Sequence, residues 1–176
     1  MVAAAGRGER LRSRHNKAFA ALAGRPLGSY ALDVLRACRE VSEILLVVAP
    51  EDVERAREEL LRPGGSKSER VIAGGEERQA SVAAALGEIG PACDLVVVHD
   101  GARPFVQPEL IHRCIEAAAE HGAAIAAVPT TDTVKEAGPD RVVVSTLDRS
   151  RIWLVQTPQA FRRDLLANAH EVATRS

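Results

Sequence analysis

The sequence predicts an α/β fold built on a doubly wound, mostly parallel sheet. Short apolar runs alternate with amphipathic helical patterns along nearly the whole chain, and glycine or proline follows each run within a few residues. The continuous apolar runs at 44–48 and 95–98 are typical of strands that are covered on both faces. Because parallel strands are joined by crossover helices, the alternation indicates right-handed strand–helix–strand units.

The elements follow one another in a regular order. Apolar periodicity predicts strands at 2–5, 44–48, 71–73, 95–98 and 123–128, and helices at 26–38, 51–61, 78–86 and 108–121. Proline at the start of the fourth helix and Gly122 at its end are the residues that these positions favour. The first run is short for a strand, so we expect at least one further strand residue before Met1.

Length and composition indicate a single domain over 1–176 and exclude several classes of function. The 23 Lys and Arg residues nearly balance 24 Asp and Glu, for a net charge of −1, whereas nucleic-acid-binding domains are strongly basic. No apolar run reaches membrane-spanning length, and the first residues do not form a signal peptide. Cys38, Cys93 and Cys114 lack Cys-x-x-Cys spacing, so we interpret them as reduced thiols of a cytoplasmic protein.

The first strand ends in a stretch that is rich in glycine and basic residues. Gly6 and Gly8 are followed by Arg10 and Lys17. Glycines let backbone N–H groups approach a polyanion, so this stretch is interpreted as a loop for a nucleoside triphosphate. It is not a P-loop, because no Gly-Lys-Ser/Thr follows, and the third glycine of a dinucleotide fingerprint is absent. A strand-to-loop turn with solvated arginines is the alternative.

Further chemistry-bearing residues follow the third, fourth and fifth predicted strands. The segments are 74–78, 99–104 and 129–135. In a doubly wound sheet, ligands bind beyond the carboxyl ends of the strands. We therefore expect these segments and the glycine-rich loop to form one site.

Individual residues in these segments have more than one interpretation. Asp100 could hold Mg²⁺ bridging phosphates, or it could cap a turn. His99 fits a packed, hydrogen-bonded histidine better than an acid–base catalyst. Arg103 suits a phosphate or carboxylate. Gly75 and Ser81 could read the edge of a base, or they could form an ordinary helix entry.

The region from about 130 to 155 interrupts the alternation of strands and helices. Val142, Val143 and Val144 have the pattern of an exposed hairpin strand. An isolated hairpin cannot bury itself well, so we interpret it as an arm that packs against a partner subunit. A simple surface hairpin is the alternative.

The motifs at the strand ends occur together, and in this order, in one known family. They read A-A-G-R-G-E-R at 4–10, G-G-E-E-R-Q-A-S-V at 74–82, H-D-G-A-R-P at 99–104, P-T-T-D-T-V-K at 129–135, D-R-S-R-I-W at 148–153 and Q-T-P-Q-A-F at 156–161. On these motifs the chain resembles the 2-C-methyl-D-erythritol 4-phosphate cytidylyltransferases over nearly its whole length.

The resemblance implies a Rossmann-like nucleotidyltransferase fold and a homodimer formed through the β-arm. Members of the family use Mg²⁺ to join CTP to 2-C-methyl-D-erythritol 4-phosphate, releasing pyrophosphate. By resemblance, the catalytic residues are Arg10 and Lys17, which stabilise the charged transition state. The CTP-binding residues would be Ala4, Ala5, Gly6 and Gly8 at the triphosphate, Gly75, Glu76 and Ser81 at cytosine, and Asp100 and Gly101 near the ribose and the metal. Arg103, Thr133 and Arg149 would hold the methylerythritol phosphate, the last two from the neighbouring subunit.

The chain departs from the family pattern at a few positions. Asn16, Lys17 and Ala18 stand where the family usually has Pro-Lys-Gln, Gly101 replaces a usual alanine, and Glu76 replaces a frequent aspartate. The family also continues past position 176 with a Thr-Asp-Glu-type segment and an Asn-Ile-Lys motif, so we expect a last strand and helix to be absent here. Two alternative functions remain: a ribitol-5-phosphate cytidylyltransferase, and a nucleotide-binding dimer without turnover.

Overall fold

The strands and helices alternate as the sequence predicts. A computed structural model describes residues 1–6, 16–62, 64–75 and 77–175. The strands are β1 Val2–Ala4, β2 Ala21–Leu22, β3 Arg25–Pro26, β4 Glu43–Val48, β5 Ser68–Ala73, β6 Leu95–Asp100, β7 Ala123–Pro129, β8 Lys135–Ala137, β9 Val143–Thr146 and β10 Trp153–Arg162. The helices are α1 Leu27–Ala37, α2 Val53–Glu59, α3 Arg78–Glu88, α4 Pro108–His121 and α5 Arg163–Arg175.

Six strands form the central sheet in the order β5-β4-β1-β6-β10-β7. Strands β5, β4, β1 and β6 are parallel, and β10 runs antiparallel to both of its neighbours. The prediction of a mostly parallel, doubly wound sheet is therefore confirmed. The carboxyl ends of β5, β1 and β6 lie at the same edge.

Helices cover both faces of the sheet because the central strands are apolar on both sides. Ile44 and Leu46 of β4 pack in one cluster with residues of α1, α2 and α4. Leu45 and Val47 point the other way and pack against α3. Full burial of one such side chain is worth about 1.5–3 kcal/mol, so β4 anchors both layers.

Several boundaries depend on single residues. Helix α4 begins with Pro108 and ends before Gly122, whose φ of 89° is a conformation that glycine adopts readily. Strand β5 is three residues longer than predicted because its charged residues are paired. Glu69 accepts from Arg36 at 2.7 Å, and Arg70 donates to Glu43 at 2.6 Å.

Three elements were not predicted from the sequence. They are the small β2–β3 hairpin, the long strand β10 and helix α5. The middle of β10 is polar, contains a cis Thr157–Pro158 peptide bond, and shifts its register against β7 between Val155 and Gln159. A strand of this kind lacks the alternating apolar pattern by which strands are recognised.

The β8–β9 hairpin is a separate two-stranded sheet, and large apolar side chains in and beside it are exposed. Val144 is 71% exposed, and Val142, Val143, Trp153 and Leu154 are also more than half exposed. An exposed hairpin in this region is therefore confirmed, while its role in dimerisation stays a prediction. Among the described residues, no helix combines the length and the apolar character that crossing a membrane requires.

Candidate active site

Small residues from three strand ends form the floor of the candidate site. A Cβ atom added to Gly101, after β6, would lie 3.2 Å from the Cβ of Ala4 in β1. A Cβ added to Gly74, after β5, would lie 2.9 Å from the Cβ of Ala5 and 2.6 Å from Ser81 Oγ. Real Cβ contacts are essentially never that short, so Gly74 cannot be replaced without movement. The structure thus brings the predicted residues of three separate motifs together.

Gly75 and Ser81 form the turn that leads into α3. The Ser81 side chain is only 3% exposed, and its hydroxyl donates to the Gly75 carbonyl at 3.3 Å. A Cβ atom on Gly75 would lie 2.5 Å from the Cβ of Ala80, so this position also requires glycine. In this structure Ser81 is therefore a buried residue that supports the turn through the Gly75 carbonyl. The predicted cytosine contact Glu76 lies outside the described residues.

Two arginines flank the carboxylate of Asp100. Arg103 donates through Nε to Asp100 Oδ2 at 2.9 Å, and Arg78 Nη2 lies 3.7 Å from Oδ1. Arg103 also donates to the Gln156 side chain, and Arg78 donates to Gln159 Oε1 at 3.4 Å. Both arginines are about half exposed. The arrangement is suited to binding a phosphate, since guanidinium groups are effective phosphate donors.

Asp100, Arg78 and Arg103 form the rim of the candidate site. His99 lies beneath this rim in a chain of hydrogen bonds. Its Nε2 is 3.1 Å from the Arg103 carbonyl oxygen, which can only accept, so Nε2 carries the proton. Nδ1 therefore accepts from the Thr157 hydroxyl at 3.0 Å, and Thr157 Oγ1 accepts the Asp100 amide at 3.2 Å. His99 is fully buried, and burial lowers its pKa below the ordinary value. The interpretation of His99 as a packed histidine is thus supported.

This burial predicts a pH dependence of stability. An unfolded His99 binds a proton below its ordinary pKa near 6.5, whereas the folded side chain with its lowered pKa stays neutral. We therefore expect its contribution to the free energy of unfolding to be complete above that value. As the pH falls, the contribution is lost by up to about 1.4 kcal/mol per pH unit until the folded pKa is passed. Urea denaturation across this range measures the slope.

The variant His99→Gln removes the titrating group, so its free energy of unfolding should change less steeply over the same range. His112→Gln is the matched control, because it makes the same change on the exposed surface of α4 and leaves His99 in place. Equal slopes for His99→Gln and the wild type would contradict the assignment.

The predicted catalytic residue Lys17 lies in a short 3-10 turn, Lys17–Phe19, close to the end of β1. Ala18 is 1% exposed and Phe19 is 7% exposed, so the turn is anchored in the core. Among the described residues, no ion-pair partner lies within reach of the Lys17 ammonium. Gly6 has open space where a Cβ would be, which leaves its backbone accessible. The predicted residues Gly8 and Arg10 lie outside the described residues.

Two predicted substrate-binding residues, Thr133 and Arg149, lie at the base of the arm. Arg149 donates to the Thr131 carbonyl at 2.8 Å, next to Thr133 at the base of the arm. Both Thr133 and Arg149 are exposed. Within the described part of the chain, neither has a hydrogen bond or ion pair to Asp100 or Arg103. Within the described part of one subunit, these two residues are therefore not tied to the rim by a hydrogen bond or an ion pair.

The donor set at Asp100 fits Mg²⁺ only together with a nucleotide. No cluster of three His, Cys, Asp or Glu side chains within the described ranges could hold a metal ion. Mg²⁺ is commonly bound by one or two carboxylates plus the phosphates of the substrate. Asp100 supplies one such carboxylate, and among the residues described here its Oδ1 has only the long contact to Arg78.

Sequence reasoning missed the partners on β10. Gln156, Thr157 and Gln159 contact Arg103, Asp100 and Arg78 respectively. The Q-T-P-Q-A-F motif was the sequence signal that could have identified these partners, because its polar residues stand within an otherwise apolar stretch. Arg78 lies in the predicted segment 74–78, and the structure places it beside Asp100 in the rim.

Together, the doubly wound sheet, the glycine floor and the basic rim define the nucleotidyltransferase class of α/β enzymes. The family model for 2-C-methyl-D-erythritol 4-phosphate cytidylyltransferase matches residues 1–176. The chain belongs to this family.

Individual relatives agree with the family assignment. The chain is 46% identical over 174 residues to the 2-C-methyl-D-erythritol 4-phosphate cytidylyltransferase of Pelotomaculum thermopropionicum, covering 98% of this chain and 73% of that protein. The crystal structure of 4-diphosphocytidyl-2C-methyl-D-erythritol synthase from Anaerococcus prevotii superposes with a TM-score of 0.86 at 30% identity, covering 99% of this chain and 75% of the other. The cytidylyltransferase from Thermus thermophilus gives a TM-score of 0.74 at 33% identity, with the same coverage.

Proposed function

We propose that this protein transfers the CMP group of CTP to 2-C-methyl-D-erythritol 4-phosphate, releasing pyrophosphate and forming 4-diphosphocytidyl-2-C-methyl-D-erythritol. The observation that carries the proposal is the convergence of Ala4, Ala5, Gly74 and Gly101 at one sheet edge. Small residues at these strand ends leave no long side chain to block a polyanion, and Lys17 and the two rim arginines add positive charge around the floor.

The attacking group needs no general base. A phosphate monoester already carries about −1.5 to −2 charge at neutral pH, since its second pKa is near 6. The buried His99 instead supports the rim through its two hydrogen bonds. The attacking phosphate oxygen carries no proton that a base such as His99 would have to remove. The chain's task is to reduce repulsion between two anions and to stabilise charge on the transferring phosphoryl group. Lys17, with Arg10 from the glycine-rich loop, is assigned to the triphosphate, and Arg103 to the incoming phosphate.

A divalent cation such as Mg²⁺ would be held by Asp100 together with the triphosphate, and would offset negative charge there. The Arg78 contact to Asp100 is long enough for the carboxylate to exchange partners. The role of Arg78 is then to orient Asp100 from α3.

The active unit we propose is a homodimer formed through the arm, in which Thr133 and Arg149 of one subunit complete the substrate site of the other. The exposed valines of the β8–β9 hairpin support this assignment, because an apolar surface of that kind is stabilised by a partner. The three free thiols support a reducing, cytoplasmic environment.

Pyrophosphate release tests the proposal. Purified protein is given CTP and Mg²⁺ with either 2-C-methyl-D-erythritol 4-phosphate or ribitol 5-phosphate, and we expect release with the first substrate alone. Release with the second alone would reassign the protein to the ribitol enzymes. No release from a sample that binds CTP would identify a nucleotide-binding dimer without turnover.

A further inference from the structure

Asn16 directly precedes Lys17 and uses its side chain to connect three parts of the fold. Its Nδ2 donates to the Ala4 carbonyl at the end of β1 and to Asp52 Oδ2 at 3.2 Å, in the turn after β4. Its Oδ1 accepts the Ala18 amide at 3.0 Å, which caps the Lys17–Phe19 turn. Both Nδ2 hydrogens and one lone pair of Oδ1 in the Asn16 side chain are therefore used.

These bonds fix the backbone on both sides of Lys17. Ala18 and Phe19 are buried after it, and Gly28 of α1 packs so closely that an added Cβ would lie 3.3 Å from the Ala18 carbonyl oxygen. On the amino-terminal side of Lys17, the described residues are connected to β1 by the hydrogen bond from the Asn16 side chain to the Ala4 carbonyl. The position of the Lys17 Cα atom is thus fixed relative to Ala4, which belongs to the floor of the site.

We infer that Asn16 is a positioning residue for Lys17, and that it acts by holding the Lys17–Phe19 turn against the end of β1. The inference rests on the proposed function for Lys17. Catalysis by a preorganised cation depends on its position, because reorganisation during the reaction is then avoided. A displacement of about 1 Å can cost ~10²-fold in rate.

The backbone of Asn16 indicates how the same position can be held in another way. Its φ of −58° and ψ of 130° are the values that proline adopts before an extended peptide. Proline would fix φ through its ring, whereas Asn16 fixes the turn through hydrogen bonds. This equivalence supplies a rescue variant, Asn16→Pro.

A double-mutant cycle with Lys17 tests the inference. With CTP and 2-C-methyl-D-erythritol 4-phosphate, Asn16→Ala should lower kcat by about ten-fold while KM for CTP changes little, a misplacement effect. In the Lys17→Ala background the same change should alter kcat by less than about two-fold, because residues that act through one another are not additive. Asn16→Pro should recover most of the lost kcat, and Asn168→Ala, at the exposed second asparagine, is the matched control.

Two results would overturn the inference. One is a wild-type kcat for Asn16→Ala; the other is an equal loss in both backgrounds, which would mean that Asn16 supports the fold in general. Asn16→Asp keeps the acceptor for Ala18 but places a carboxylate against the Ala4 carbonyl and Asp52. It should therefore be at least as damaging as Asn16→Ala.

The test remains decisive if the proposed function is wrong. If the wild type shows no turnover, with or without binding of CTP, amide hydrogen exchange at Ala18 and Phe19 is compared in the ligand-free wild type and Asn16→Ala. Faster exchange of both amides in the variant is expected, and unchanged exchange would show that Asn16 does not hold the turn.

Discussion

Lys17→Ala is expected to lower kcat for pyrophosphate release by ~10²–10³-fold, the effect of removing one preorganised charge donor. The ammonium lies in a turn anchored by Ala18 and Phe19, and no ion pair within the described residues neutralises it. The proposed function assigns this charge to the triphosphate. Because that charge matters most as negative charge develops, kcat should fall more than the affinity for CTP. Steady-state kinetics with the CTP concentration varied and 2-C-methyl-D-erythritol 4-phosphate saturating gives kcat and KM for CTP.

Lys67→Ala is the matched control for this prediction. The Lys67 ammonium donates to the carbonyls of Cys38 and Val41 and thereby closes the end of α1. Its loss should lower the free energy of unfolding and leave kcat nearly unchanged. A wild-type kcat for Lys17→Ala, or an equal loss in both variants, would remove Lys17 from the catalytic machinery.

Co-expression of Lys17→Ala with Arg149→Ala should restore activity that neither variant has alone. If Arg149 completes the site of the neighbouring subunit, a mixed dimer contains one site with both changes and one site with neither. Random pairing then gives about one quarter of the wild-type activity, because half of the dimers are mixed and each has one intact site of two. Differently tagged subunits allow the mixed dimer to be isolated and assayed.

The control is a chain that carries both substitutions, co-expressed with the wild type. Its mixed dimer is isolated with the same tags, because wild-type homodimers in the mixture would themselves give about one quarter of the activity. That pairing yields mixed dimers with a different arrangement of defects, in which each site has one change and neither is intact. Failure of Lys17→Ala and Arg149→Ala to complement each other would place Arg149 in the same site as its own Lys17. It would also remove the reason for a shared site.

The fold was predictable where the signal is local. The strands β1, β4, β6 and β7 and the helices α1, α3 and α4 each have an apolar pattern and a glycine or proline at a boundary. Strand β10 has neither across its polar middle. Its place in the sheet depends on pairing with β6 and β7, which are distant in sequence, so local reasoning could not find it.

The residues of the candidate site also fall into those with a local sequence signal and those without one. Gly74 and Gly101 were predictable, because a glycine at a strand end is a local feature with a known use. The contact between Arg78 and Gln159 joins residues that are 81 positions apart, and the one between Arg103 and Gln156 spans 53. Asn16 was recognised as a departure from the family pattern, but its three hydrogen bonds depend on where β1 and β4 lie.

The glycine floor has a consequence for how this enzyme can change over evolution. At Gly74 and Gly75 any added side chain would overlap a neighbouring residue, and Gly101 has little room. Mutation can therefore hardly reshape the floor, and the ligand there must remain one that is recognised by backbone groups. New substrate preferences would then arise at the rim and in the arm, where Arg103, Thr133 and Arg149 are exposed.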